Sequence, residues 1–229
     1  MPPSHPILVA VEIGKTRVFA SALDWPGWTR VGRDDASALA ALLACGPRYQ
    51  RAIGSAKLGF HAPTDASALM VAERLAGTTT TDFGAPDVPP TIDATPLDDA
   101  ALKRMKAVLN ACWSALLAAA ESAGDKELRK GPRGGGRDLV EVVRHVVDSN
   151  YSYLNRLNWK AKLGTSESMR ATIEAVQRAT ADALDNAAAG NMPAAGPRGG
   201  KLWQPRYFVR RAAWHILDHA WEVEDRIEN

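Results

Sequence analysis

Two histidines near the C-terminal end of the chain, His215 and His219, stand four residues apart in a segment with a helical pattern. Side chains at positions i and i+4 lie one above the other on a single helix face, so both imidazoles can bind one ion. A divalent ion requires a further ligand, and His145 is the other histidine in a strongly helical, half-apolar stretch. We therefore predict one metal site formed by His145, His215 and His219.

The metal and its role follow from the chemistry of the ligands. Imidazole nitrogens suit Zn²⁺ best, and Ni²⁺ or Fe²⁺ are also compatible. Three protein ligands leave at least one coordination position open, which is typical of a catalytic ion rather than a closed structural one.

The depth of the histidines in their helices supports this grouping. At 1.5 Å per residue, His145 lies about 10 Å beyond a helix start at Asp138, and His215 about 15 Å beyond Pro205. Both positions are near mid-helix, so the rings can meet whether the two helices run parallel or antiparallel.

Two acids lie one turn from these histidines and are the candidate catalytic residues. Asp148 follows His145 by three residues, and Glu222 follows His219 by three. Each could hold a histidine in place or accept a proton, and each could equally be a plain surface charge. In a further alternative no metal binds, and each histidine is a core residue hydrogen-bonded to Asp148, Asp218 or Glu222.

Helices that could position these residues occupy the chain after Pro96. Apolar residues recur there in steps of three and four, which is the pattern of a helix with a core-facing stripe. Gly- and Pro-rich breaks separate four such segments, at about 98–120, 138–157, 166–189 and 205–227. A four-helix bundle is the economical arrangement.

The first 60 residues have a different pattern. β-branched, apolar runs predict strands at 7–13, 17–23 and 28–31. A helix is expected over 36–44, where Gly46-Pro47 ends or interrupts it. Residues 68–76 fit a helix or a last strand, and 77–96 reads as an ordered connector whose Phe83 and Ile92 dock on a surface. The sequence thus predicts an α+β fold, with a small N-terminal β-hairpin or sheet plus helix over 1–90 and the four-helix bundle over 91–229.

Composition narrows the classes of function. The chain has 229 residues, 46% of them hydrophobic and 24% charged, which is typical of a globular protein with a real core. A net charge of +2 gives no reason to expect nucleic acid as a partner. No apolar run approaches the ~20 residues that span a bilayer, and no signal-peptide pattern is apparent, so a cytoplasmic protein is expected. Cys45 and Cys112 are expected to be buried thiols. The expected partner is a small-molecule substrate, and a homodimer is left open.

Two segments carry a resemblance to a known family. Residues 207–226, which contain the motif Trp214-His215-Ile216-Leu217-Asp218-His219-Ala220-Trp221, resemble the last helix of the DinB/YfiT-like metalloenzyme superfamily. Residues 137–147 resemble its second helix, which contributes the first histidine. The resemblance covers roughly residues 97–228 and implies a four-helix bundle with one divalent ion on the three histidines.

What this family does sets the functional expectation. It includes thiol-dependent transferases, isomerases and hydrolases, so the resemblance implies an ion that activates water or a low-molecular-weight thiol as a nucleophile. The first hypothesis is therefore a metal-dependent enzyme, either a thiol-dependent transferase or a small-molecule hydrolase. The alternative is a non-catalytic protein that binds a metal or a partner.

The N-terminal region is similar to HicB-like antitoxin domains over about 45 residues. Two strands are followed by Leu23-Asp24-Trp25-Pro26-Gly27-Trp28, then Gly32 and a helix. Such domains commonly bind partners, but no toxin-binding or DNA-binding motif is evident. A docked accessory domain is the favoured role.

Two glycine-rich segments, 131–136 and 196–201, are near repeats. Neither follows a strand, so flexible connectors are favoured over phosphate-binding loops. The alternative is an anion-binding mouth with Arg206, Arg210 and Arg211, suited to a carboxylate-bearing thiol. Three tryptophans are expected to pack the bundle: Trp203, Trp214 and Trp221.

Overall fold

The computed structural model of the protein describes residues 6–130, 136–161 and 168–227. The N-terminal region forms a four-stranded sheet in the order β3-β2-β1-β4. Strand β1 pairs antiparallel with β2 and parallel with β4. The strands are β1 (Ile7–Ile13), β2 (Val18–Ala22), β3 (Thr29–Gly32) and β4 (Leu69–Ala76). Residues 68–76 are therefore essentially a strand, and the α+β class is confirmed.

Helix α1 (Asp35–Ile53) connects β3 to β4 and begins at a capping box in which Asp34 accepts from the Ser37 amide. The expected end at Gly46-Pro47 is wrong, because the helix continues with Pro47 inside it. Proline in a helix interior costs about 3 kcal/mol. Here Tyr49 and Ile53, both fully or nearly fully buried, offset that cost by packing into the core beyond the proline.

The connector from β4 to the helices contains the short helix α2 (Thr79–Phe83) and a 3₁₀ turn at Thr91–Ala94. The predicted docking through Phe83 and Ile92 is wrong: these side chains are 89% and 44% exposed. Polar groups hold the connector instead. Buried Glu12 accepts hydrogen bonds from connector amides, and buried Asp93 pairs with an arginine of the last helix.

Four long helices follow the connector. Each contacts the other three, and three begin at side-chain caps on Asp98, Asp138 and Ser168. The helices are α3 (Asp99–Ala123), α4 (Leu139–Leu154), α5 (Met169–Ala188) and α6 (Pro205–Arg226). These bounds agree with the predicted segments to within three residues at each end. Of the two glycine-rich segments, 131–135 lies outside the described residues.

Helix α6 joins the two regions, since it packs against α3 and α4 on one side and the sheet on the other. Gly27, in the turn before β3, has a φ of +92° and lies so close to α6 that an added Cβ would meet Ala213 and Leu217 at 3.1 and 3.0 Å. Buried residues of the sheet and of all four long helices form one hydrophobic core. No helix in the described part of the chain is both long and apolar enough to cross a membrane.

Candidate metal centre

The structure brings His145, His215 and His219 together between α4 and α6. The ring centroids lie 5.1 Å apart for His145 and His215, 4.9 Å for His145 and His219, and 4.7 Å for His215 and His219. One ring nitrogen from each residue lies within 4.8 Å of the other two. His215 is buried, at 7% exposure, and the other two are half-buried.

The nitrogen spacing tests whether one ion fits. The Nε2 atoms of His145 and His215 are 3.2 Å apart. Two nitrogens bound to one tetrahedral Zn²⁺ at about 2.0–2.1 Å would lie about 3.3 Å from each other. The third nitrogen lies within 4.8 Å of the other two. The donor set, three imidazoles on two helices, therefore fits a divalent cation.

Burial sets the protonation of the rings in favour of metal binding. Desolvation, followed by the charge of Arg137, lowers the pKa of His145. Desolvation, followed by the neighbouring imidazoles of His219 and His145, holds the pKa of His215 well below its ordinary value. Both rings are thus neutral near pH 7, and the neutral imidazole is the form that ligates a metal.

Hydrogen bonds within the described residues do not satisfy the cluster by themselves. His145 and His215 could share one proton between their Nε2 atoms. The Nδ1 atom of His215 would still be buried without a partner among the described residues. An ion bound at Nε2 of His215 would not supply a partner for Nδ1, so the case for a bound cation rests on the convergence of one nitrogen from each ring.

Glu222 fixes the ring of His219. Its Oε2 lies 2.7 Å from His219 Nδ1, and its Oε1 accepts from Arg226 Nη1 at 2.7 Å. The hydrogen bond from His219, and then that from Arg226, lower the pKa of Glu222 below its ordinary value. With Nδ1 occupied as a donor, Nε2 of His219 is the nitrogen left for a metal. A carboxylate that holds a metal-binding histidine in this way is a common arrangement.

Asp148, the other predicted catalytic acid, is exposed on α4. Its charge is a minor influence on His145, whose pKa is governed by burial. The structure therefore places Glu222 at the cluster, in contact with a ring, and Asp148 at its margin.

The three arginines of the predicted anion-binding mouth do not form one group. Arg210 is buried and donates from Nε and Nη2 to the two carboxylate oxygens of Asp93 at 2.9 and 2.7 Å. Arg206 donates to the backbone carbonyls of Thr95 and Pro96. These two arginines hold the connector against α6. Arg211 alone of the three lies beside the histidines, where its charge contributes to the lowered pKa of His215.

Aromatic side chains border the cluster. The ring of Tyr153 lies 5.8 Å from His215 and 5.2 Å from Trp203. Trp214 and Trp221 are buried, as expected. Trp203 is half-buried, packs against the core as expected, and contacts Tyr153 and Tyr207.

Two buried acids, Glu12 and Asp93, were not identified from the sequence. Glu12 interrupts the apolar run of β1. This interruption is the one signal in the sequence that the strand carries a buried polar side chain. Asp93 has no such signal, because its partner Arg210 is 117 residues away in the chain.

These features define an α+β protein whose long helices carry a three-histidine site compatible with a divalent metal. A family model described as the DinB superfamily matches residues 109–223, half of the chain, and includes all three histidines. The chain belongs to the DinB superfamily. The match does not extend to the sheet, so the HicB-like resemblance stays a prediction. Searches of curated proteins and of solved structures gave no match.

Proposed function

We propose that this protein is a metal-dependent enzyme that binds one divalent cation on His145, His215 and His219 and acts on a small molecule. The reaction is the transfer of a low-molecular-weight thiol or the hydrolysis of a small substrate. Zn²⁺ is the expected ion, with Ni²⁺ and Fe²⁺ compatible. The observation that carries the proposal is the convergence of three ring nitrogens within 4.8 Å, two of them on buried or half-buried neutral imidazoles.

Each residue has a distinct part in the proposed chemistry. A divalent ion held by three imidazoles lowers the pKa of an exchangeable ligand and supplies a nucleophile near neutral pH. Glu222 positions His219 by accepting the proton of its Nδ1. Asp148, at the exposed margin of the site, is proposed as a proton acceptor. The burial of His215 keeps water away from one side of the cluster.

A non-catalytic metal-binding or partner-binding protein is the second candidate, and one observation favours it. Glu222 is fully engaged by His219 and Arg226, and Asp148 is exposed. Neither predicted catalytic acid is therefore both free and close to the ring nitrogens.

Metal content of the purified protein tests the site itself. Protein purified without added metal, then equilibrated with Zn²⁺ and desalted, is expected to hold one ion per chain by plasma emission analysis. His215→Ala removes the most buried ligand and is expected to reduce the content to near zero. His61→Ala is the matched control, since His61 is exposed and outside the cluster. Stoichiometric zinc retained by a folded H215A protein contradicts the proposal.

A screen for turnover separates the two candidate functions. Thiol cofactors and ester substrates are offered to the zinc-loaded protein before and after chelation. Turnover that disappears on chelation and returns with added metal supports the enzyme. Turnover that survives chelation contradicts a metal-dependent mechanism, and the absence of turnover in loaded protein favours the second candidate.

A further inference from the structure

Arg211 lies one helical turn before His215 on α6, about 6 Å away along the helix axis. Its guanidinium carbon lies 4.8 Å from the ring centroid of Trp214 and 5.9 Å from that of Tyr153. The side chain is half-buried. Among the described residues, no carboxylate lies within ion-pair distance of it. A partly desolvated cation without an anionic partner is an unusual arrangement, and it calls for an explanation.

The neighbouring Arg210 shows what a structural arginine looks like in this protein. The Nε and Nη2 edge of Arg210 binds the carboxylate of Asp93, and its remaining donors reach the carbonyls of Ala22 and Leu23. In Arg211 this same edge has no partner within the described chain. Its Nη1 donates to the carbonyl of Pro86, while its Nε is buried and unpaired.

Glu12, an acid near Arg211, is already occupied by other hydrogen bonds. Glu12 lines the same cavity as Arg211. Its two oxygens accept from the Thr81 hydroxyl and from the backbone amides of Asp87 and Val88. Cation–π contact with Trp214 offsets part of the desolvation of Arg211, but it leaves the in-plane N–H donors of the guanidinium unused.

Contacts through an aromatic ring relate Arg211 to the histidine cluster. Tyr153 lies two turns beyond His145 on α4, and its ring contacts both His215 and Arg211. Trp203 extends the same surface at 5.2 Å from Tyr153. The histidine cluster, the guanidinium of Arg211 and these two aromatic rings are therefore neighbours.

We propose that Arg211 binds the carboxylate of the substrate and that Tyr153 and Trp203 contact an apolar, planar part of the same molecule. The inference rests on the proposed function, because it places the reactive end of the molecule at the histidines. A planar guanidinium edge matches a carboxylate in a bidentate manner. The substrate class is therefore a small carboxylic acid with an aromatic or other flat apolar body.

The test uses two matched probes, 3-phenylpropanoate and the neutral 3-phenylpropanamide, in calorimetric titrations of metal-free and zinc-loaded full-length protein. Wild-type protein is expected to bind the carboxylate roughly tenfold or more tightly than the amide in both forms. Arg211→Gln is expected to abolish this preference. Arg211→Lys is expected to retain part of it, because lysine keeps the charge but loses the planar edge.

The inference is overturned by equal affinity of the wild type for the two probes, or by a preference in metal-free protein that R211Q retains. A preference that appears only in zinc-loaded protein and survives R211Q also overturns it, since the carboxylate then binds the ion. Arg206→Gln is the control, because that arginine holds backbone carbonyls of the connector; it is expected to leave the preference unchanged.

This experiment is separable from the test of the metal site. R211Q is expected to bind zinc with wild-type stoichiometry, and its circular dichroism and melting curve show whether it is folded. If H215A retains metal while metal-free wild type still prefers the carboxylate, the proposed function fails and the carboxylate site stands. If metal binding behaves as proposed and the preference is missing, the inference about Arg211 fails alone.

Discussion

Helix α6 carries two polar centres that differ in how completely they are satisfied. On the side facing the sheet and connector, Arg210 and Asp93 form a bidentate pair with side chains only 8% and 1% exposed. On the side facing α4, the histidine cluster leaves Nδ1 of His215 and Nε of Arg211 buried without partners in the described chain. The two centres lie within five residues of each other on one helix.

This difference in hydrogen bonding separates groups that maintain the fold from groups that lack partners within the described chain. A buried charge is tolerated when its hydrogen bonds are complete, and the Arg210 centre meets that condition from within the chain. The histidine centre does not meet it with groups of the described chain. Completeness of hydrogen bonding, rather than burial or charge alone, is what distinguishes the two.

Breaking the Arg210–Asp93 pair should have the largest effect on stability. Arg210→Met leaves the Asp93 carboxylate buried and unpaired, which is expected to lower the free energy of unfolding by about 3–5 kcal/mol. Urea unfolding followed by circular dichroism measures the change. Arg74→Met, which breaks an exposed pair with Asp35, is the control and should cost at most about 1 kcal/mol.

The double variant Arg210→Met/Asp93→Leu sharpens this prediction. Removing both charges should recover much of the lost stability, because the penalty comes from the unpaired charge. If R210M alone unfolds no more easily than R74M, the assignment of this centre to the fold is incorrect.

Weakening the support of His219 should have an intermediate effect, on metal affinity rather than on folding. Glu222→Gln replaces the carboxylate that accepts from His219 Nδ1. Loss of such a partner typically lowers metal affinity about tenfold to a hundredfold. Competition with a zinc chelator of known affinity measures the zinc affinity of the variant.

Glu174→Gln is the matched control for this prediction. Glu174 is a helix carboxylate whose ion-pair partner is the exposed Arg178 at 3.9 Å, and its replacement should leave zinc affinity unchanged. Equal zinc affinities for E222Q and the wild type would show that Glu222 does not position the ring.

The smallest expected effect is a dependence of stability on pH from Glu12. Burial raises the pKa of this carboxyl above its ordinary value of 4.5, against the opposing hydrogen bonds from Thr81, Asp87 and Val88. The folded state then holds the proton more tightly than the unfolded state. The stabilising contribution is therefore complete below pH 4.5 and declines as pH rises through the folded-state pKa.

Glu12→Gln should flatten this part of the stability profile, measured as the slope of unfolding free energy between pH 4.5 and 7. The slope is measured rather than the stability at one pH, because glutamine also alters the hydrogen bonds that the Glu12 carboxylate accepts. Glu121→Gln, at an exposed carboxylate paired with Arg170, should leave the slope as in the wild type. An unchanged slope in E12Q would show that the Glu12 carboxyl has the same pKa in the folded and unfolded states.

Much of the fold was predictable because its signals are local. The apolar β-branched run gave strand Ile7–Ile13 to the residue, and the capping acids Asp98 and Asp138 marked two helix starts. The approach of His145 to the C-terminal pair was also predictable, since helix periodicity and rise place all three rings at similar depth.

What could not be predicted depends on contacts between distant residues. Proline at position 47 normally ends a helix, and only the burial of Tyr49 and Ile53 shows why this one continues. Phe83 and Ile92 were expected to dock the connector on a surface, yet the polar residues Glu12 and Asp93 hold it in place. The order of residue types along the chain does not reveal which polar group forms a hydrogen bond with a residue distant in sequence.

The close approach of Gly27 to α6 has a mechanical consequence for the site. With Ala213 and Leu217 seated against that turn and Arg210 tied to Asp93, the helix cannot rotate or slide without disrupting its contacts with the sheet. The helix positions of the two C-terminal imidazoles are thus settled during folding, so the ion proposed to bind there would meet preorganised ligands.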